Sequence, residues 1–203
     1  MPERRLEVFA ALLAAVVCAT AAADDIDALI ERAKKRDPKA QYSLALRAYE
    51  GEGVPRSPSQ AFRLMQQAAG AGLAEAQNAL GFYYQHGIGT EPDAKLAAEW
   101  FRKAAPALPE ALYNLAYTLE ASGADPAGSR AAYEKASGAG VRAADLRLGM
   151  MLEFGRGGPA DADQALARYE RAAAAEVPEA RAMLKRLLAL QAAAVSPCAT
   201  SRR

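Results

Sequence analysis

The residues able to do chemistry are few and scattered. His86 is the only histidine, and the only cysteines are Cys18 and Cys198. A zinc-type site draws several His, Cys or carboxylate ligands together, and His86 has no such cluster near it in the sequence. It stands at the end of a helical stretch beside Gly87, where the helix dipole favours a cation, and its role reads as structural. Nucleophilic catalysis needs a base within reach of the nucleophile. The chain has no Ser-x-x-Lys motif, no histidine beside a nucleophile and no paired carboxylates in a pocket-like pattern. Gly51-Glu52-Gly53, Gly87-Ile88-Gly89 and Gly155-Arg156-Gly157 are not phosphate loops, which need a preceding strand and more glycines at fixed spacing. No catalytic residue, metal or cofactor is therefore expected.

The pattern that does recur belongs to the elements. Ala40, Ala76, Ala111, Ala144 and Ala180 open one apolar motif at spacings of 33 to 36 residues, and Leu44, Leu80, Leu115, Leu148 and Leu184 follow each alanine by four. The next residue is small in the first four copies (Ala45, Gly81, Ala116, Gly149), as close helix approach requires, and is Lys185 in the fifth. A second helix repeats in the same register, from Ala61, Ala97, Ser129 and Ala165 to Ala69, Ala105, Ser137 and Ala173. Four residues before each opening stands Ser57, Asp93, Asp125 or Asp161, a side chain suited to accept from an orphan N–H at a helix start. Pro58 and Pro126 follow at the first helical position, where proline is harmless. The Gly-x-Gly loops between the halves supply the left-handed turn after the first helix.

Leu80-Gly81, Tyr84, Gly87-Ile88-Gly89, Trp100 and Lys103-Ala104-Ala105 together resemble the Sel1-like repeat, a relative of the tetratricopeptide repeat. The resemblance implies an all-α fold, a right-handed α/α solenoid of about four helix pairs with an N-terminal and a C-terminal capping helix. The units fall at about 38–73, 74–108, 109–141 and 142–177 within a solenoid of residues 24–194. The third departs from the pattern, with Ala121-Ser122-Gly123-Ala124 in place of Gly-x-Gly and Ala132 in place of the tryptophan. A shorter loop and the least regular unit are expected there. Residues 25–36 are in register with the second helices and form the first cap. Residues 179–193 match a first helix and form the other, with Lys185 and Arg186 giving a polar outer face of the kind terminal repeats need.

Residues 1–23 read as a signal peptide: Arg4 and Arg5, an apolar run from Val8 to Ala19, and Ala21-Ala22-Ala23 before Asp24. The expected location is periplasmic or secreted after cleavage near Ala23. A lipoprotein attached through Cys18 is the alternative, weakened by Val17 where a small residue is normal. The net charge is +1 with or without this segment, which offers no electrostatic footprint for nucleic acid or an anionic membrane. No membrane span is expected in the mature chain, and residues 195–203 (Val195 followed by SPCATSRR) are expected to be disordered.

Take each first-helix leucine as position zero. The core stripe is −4, 0, +1 and +4. Leu46, Phe82, Tyr117 and Met150 at +2 are large and apolar too, and read as contacts between repeats, as does Trp100 on a second helix. The candidate partner-binding stripe is then −1 and +3: Ser43 and Arg47, Tyr83, Asn114 and Thr118, Arg147 and Met151. The plainer alternative is a solvated face. The resemblance implies that first helices line a concave surface and that the chain is a non-enzymatic adaptor or regulator, often at the bacterial envelope. Abundant alanine and arginine suit a bacterial origin. A protein partner and a monomeric chain are expected. A second reading is peptidoglycan or glycan binding with Tyr83 as a stacking platform. A third is β-lactam hydrolysis or penicillin binding, which the resemblance implies only for cysteine-rich relatives, whose paired cysteines this chain lacks.

Overall fold

The computed structural model describes residues 25–195. The expectations for residues 1–23 with Cys18, and for residues 196–203 with Cys198, lie outside the described residues, while Val195, expected in the disordered tail, closes the last helix. The described residues contain ten helices and no strand. They are α1 (residues 25–34), α2 (Pro38–Glu50), α3 (Pro58–Gly70), α4 (Ala74–His86), α5 (Ala94–Ala104), α6 (Glu110–Ser122), α7 (Pro126–Gly138), α8 (Arg142–Glu153), α9 (Ala162–Ala174) and α10 (Ala180–Val195). The chain divides after Asp93 into two compact units.

The starts of α2, α3, α7 and α9 follow from the side chains before them. Ser57 Oγ accepts from the Gln60 N–H at 3.3 Å, Asp125 Oδ1 from the Gly128 N–H at 2.8 Å, and Asp161 Oδ1 from the Gln164 N–H at 2.9 Å. Gln164 Nε2 also donates to Asp161 Oδ2 at 2.6 Å. Such caps are each worth about 1 kcal/mol. A further cap lies at α2, where Asp37 Oδ1 accepts from the Lys39 and Ala40 N–H groups ahead of Pro38.

In the first unit, α1 packs Ala33, Leu29 and Ile30 against Ala40 and Leu44 of α2 and Leu64 of α3. The pairs α2–α3 and α3–α4 then pack in sequence. In the second unit, consecutive helices from α5 to α10 pack in the same way. The contact faces are alanine-rich: Ala45, Ala48, Ala61, Ala68 and Ala76 in the first unit, and Ala116, Ala136, Ala144, Ala165 and Ala172 in the second, are fully buried. Gly149 follows the same rule. A β-carbon there would stand 2.6 Å from the Tyr169 ring.

The second glycine of the Gly-x-Gly loops does more than turn the chain. Gly89 (φ 70°) and Gly157 (φ 73°) lie against the first turn of the preceding repeat's second helix. A β-carbon on either would meet the carbonyl oxygen of Pro58 or of Pro126 at 2.2 Å. The loop therefore locks one repeat onto the last through bare backbone. The third repeat has no such lock: its loop is residues 123–125, and a β-carbon on Gly123 would meet nothing within 4 Å.

The outer face of α10 differs from the expected polar cap. Lys185 and Arg186 are exposed, but so are Leu188 (46%) and Leu190 (56%). In α8, Leu152 stands at the position of Leu188 and is buried, and α8 is packed by the second helix of its own repeat, α9. No described helix follows α10 to do the same.

Gly157→Ala should destabilise the chain by about 2 kcal/mol or more, since it adds both a clash and a strained φ. Gly123→Ala meets only the φ cost and should lose about 1 kcal/mol. Thermal unfolding followed by circular dichroism orders the two.

Candidate interaction surface

The stripe expected at −1 and +3 is only partly exposed. Ser43, Arg47, Asn114 and Arg147 at −1 or +3 are half-buried. Tyr83, Thr118 and Met151, all at +3, are buried. Conversely Phe82 and Tyr117 at +2, expected inside, are 46% and 38% exposed. The reason is angular. At about 100° per residue, +3 falls only about 20° from −4, while +2 lies about 100° beyond +1. The buried arc therefore takes in +3 at Tyr83, Thr118 and Met151 and leaves Phe82 and Tyr117 at +2 exposed, with Leu46 and Met150 at +2 half-buried. Trp100, expected in the core, is half-buried with Lys103 Nζ 3.9 Å from its ring centroid.

In the first unit, Tyr83 packs its ring against Tyr49 at 5.9 Å, and its hydroxyl has no hydrogen-bond partner. Burial, with Tyr49, Tyr42 and Glu50 adding to it, pushes this hydroxyl up to about 12. With 3% of its surface exposed, Tyr83 cannot serve as a platform for a sugar ring. Arg47 reaches the N-terminal helix, pairing with Asp25 at 3.2 Å. His86 is exposed at the end of α4, its ring 4.1 Å from that of Phe82.

The second unit carries a more organised surface. Two buried tyrosines on second helices meet glutamates at the ends of first helices. Tyr133 donates to Glu120 Oε2 at 2.9 Å, and Tyr169 to Glu153 Oε2 at 2.8 Å. Burial, then the neighbouring carboxylate, pushes the Tyr133 hydroxyl far above its ordinary range. For Tyr169 burial comes first, then the hydrogen bond to Glu153. Each glutamate also holds an arginine at the surface: Arg156 lies 3.6 Å from Glu120 Oε1, and Arg186 lies 2.6 Å from Glu153 Oε1.

Those arginines frame the exposed aromatics. The guanidinium carbons of Arg156 and Arg186 lie 5.7 and 5.6 Å from the ring centroid of Phe154, which is 52% exposed. Arg147 lies 5.5 Å from the Tyr117 ring. The result is a row of arginine and aromatic side chains in which carboxylates hold Arg156 and Arg186 from beneath. Arginine and aromatic residues are the side chains most enriched at binding hot spots. Of the expected stripe only Arg147 belongs to this row. Phe154, Arg156 and Arg186 were not legible as site residues, because they come from a helix end, a loop and a cap rather than from one helical stripe.

A second charged feature is internal. Asp145 on α8 is fully buried. Ser137 donates to its Oδ1 at 2.6 Å, Arg168 lies 3.4 Å from the same oxygen, and Arg142 and Arg171 lie 3.6 Å from Oδ2. Three guanidiniums and a hydroxyl offset the cost of burying that carboxylate. Among the described residues no group of three or more His, Cys, Asp or Glu side chains could hold a metal, and no helix is long and apolar enough to cross a membrane.

The Sel1 repeat family model matches residues 38–73, 74–105, 109–136 and 142–177. The third match is the shortest, at the unit with Ala132 and no Gly-x-Gly. Among curated proteins, chitin synthase regulatory factor 3 of Schizosaccharomyces pombe is 34% identical over 170 residues, which cover 77% of this chain and 18% of that protein. Chitin synthase regulator SKT5 of Saccharomyces cerevisiae is 40% identical over 50 residues, 25% of this chain and 7% of that protein. The chain thus spans less than a fifth of the length of either relative. Among solved structures, a Sel1 repeat protein from Oxalobacter formigenes superposes with a TM-score of 0.68 at 28% identity, over 77% of this chain and 64% of that one. A protective antigen present in uropathogenic Escherichia coli strains, displaying an SLR fold, superposes with a TM-score of 0.73 at 28% identity, over 78% of this chain and 35% of that one.

The tyrosines give a pH signature. A hydroxyl whose folded value is raised stabilises the fold fully below its unfolded value of 10.0 and loses that contribution as pH rises towards the folded value. Unfolding free energy should therefore fall from about pH 10 towards pH 12, read by urea unfolding across that range. Tyr83→Phe removes an unsatisfied buried hydroxyl. It should hold or raise stability at neutral pH by up to about 1 kcal/mol and reduce the alkaline slope.

Proposed function

The chain belongs to the Sel1 repeat family, and from that premise we propose that it is a non-enzymatic protein-binding scaffold, a regulatory adaptor working outside the cytoplasm. The observation that carries this reading is the row formed by Tyr117, Arg147, Phe154, Arg156 and Arg186. Its cations and rings stand at the surface while Glu120 and Glu153, tied to buried tyrosine hydroxyls, hold Arg156 and Arg186. Side chains ordered before binding lose less entropy when a partner arrives. The regulator names of the two fungal relatives are in keeping with an adaptor role, although they describe proteins of which this chain matches only a part. The proposed location, periplasmic or secreted, rests on Arg4, Arg5, the apolar run to Ala19 and the small residues at 21–23.

Crosslinked pull-down from an envelope extract with the C-terminally tagged chain, read by mass spectrometry, tests the adaptor role. One protein should be enriched and should be lost with an Arg147→Ala, Phe154→Ala double variant. Equal enrichment by both forms would remove the row from the site, and the absence of any specific protein would count against the adaptor itself.

N-terminal sequencing of the exported protein tests the location. It should begin at or near Asp24. A chain that keeps Met1 in the cytoplasm would overturn the proposal.

A further inference from the structure

The third repeat has an apolar groove where its neighbours carry a polar side chain, since Leu112 stands at the position of Gln41, Gln77 and Asp145. A cavity of about 510 Å³ lies among α5, α6 and α7 of the second unit. Its apolar wall is Leu112, Leu115, Leu119 and Ala132, and Arg102 and Lys135 stand at its rim. Asp125 also borders it, but its Oδ1 is engaged by the Gly128 N–H at the start of α7.

The fourth repeat fills the same groove with polar side chains. There the positions of Ala105, Leu112, Ala132 and Lys135 are taken by Ser137, Asp145, Arg168 and Arg171. Those four form the buried cluster described above, and Arg168 fills the space by reaching Ser137 at 2.9 Å and Asp145 at 3.4 Å. In the first repeat the position of Ala132 carries Leu64, and the corresponding groove is also open, a hollow of about 610 Å³ that Gln41 and Gln67, bonded to each other at 2.8 Å, line with polar groups. In the second it carries Trp100. The third repeat alone has a methyl group there, beside a leucine that needs no polar partner.

The second repeat also indicates what would fit. Lys103 and Trp100 are spaced as Lys135 and Ala132 are, and Lys103 Nζ stands 3.9 Å from the Trp100 ring centroid. Lys135 keeps the cation of that pair with no ring beneath it at position 132. The geometry points to this groove as a binding pocket for an aromatic side chain of a protein partner, set in an acidic segment. The ring enters between Leu112, Leu115, Leu119 and Ala132. Lys135 covers its face, and Lys135 and Arg102 meet flanking carboxylates. Volume and lining are those of a small binding pocket, and cation–π contact of this kind is favourable when desolvated.

The inference deepens the adaptor reading by stating the partner's chemistry, but its test reads the pocket directly and does not depend on the extract experiment. The full chain, with labelled alanine and leucine methyl groups, is titrated by NMR with the blocked peptide Ac-Glu-Glu-Trp-Glu-Glu-NH2. The Leu112, Leu115, Leu119 and Ala132 methyl signals should shift saturably. An otherwise identical peptide with a central alanine should bind about tenfold more weakly or worse. Ala132→Trp occupies the groove from within and should abolish the shifts. An Arg102→Glu, Lys135→Glu double variant should invert the preference towards a lysine-flanked tryptophan peptide, which keeps the test decisive if Ala132→Trp fails to fold. Absence of saturable shifts, equal binding of the alanine peptide, or unchanged binding by either folded variant would overturn the assignment. So would shifts that track chain concentration rather than peptide, since they would give the groove to a second copy of this chain.

Discussion

The structure depends on backbones coming close enough to leave almost no room for side chains between them. Alanines on facing helices are fully buried in both units, and Gly149 lies where a methyl group would enter the Tyr169 ring. Gly89 and Gly157 take the same principle to its limit, since the carbonyl oxygens of Pro58 and Pro126 stand where their β-carbons would be. Close contact of this kind buries apolar surface and gains dispersion over many atom pairs. It is also intolerant: one added carbon must move a backbone, not a side chain.

Such packing leaves the larger residues to differ between repeats. Tyr133 and Tyr169 occupy the same position on second helices and each finds a glutamate. Met65 stands at that position in the first repeat, where the residue matching the glutamates is Tyr49. At this position a buried hydroxyl and a carboxylate thus come and go together, which spares both an unsatisfied polar group. The groove of the fourth repeat likewise pairs Asp145 with Arg168, and the third repeat replaces both, with Leu112 and Ala132. Repeats that share one frame can in this way present a polar plug in one place and an apolar hollow in the next.

The helices, caps and loops were legible because their causes are local. A cap acts over three residues, a glycine turn over two and a helical stripe over one or two turns. Ser57, Asp125 and Asp161 cap the helices they precede, and the third loop is the short one. The face of the first helix was misjudged for a different reason. Residue type suggested that Phe82 and Tyr117 were inside and that position +3 was outside. Helical angle places them the other way, and Tyr83, Thr118 and Met151 are buried accordingly. The angular argument was available from the sequence and outweighs residue type, since an apolar ring can be exposed without penalty to the fold.

By itself the sequence determined the repeat family, the helical class, the register of the units and the odd character of the third. All of these rest on patterns closed within some forty residues. Only the tertiary structure decided that Glu120 and Glu153 hold surface arginines from buried tyrosines, that Phe154 lies between Arg156 and Arg186, and that Leu112, Leu115 and Leu119 line an apolar groove. Each of these depends on which side chains from different helices share one space. A stripe drawn along a single helix carries no information about what the next helix brings to meet it.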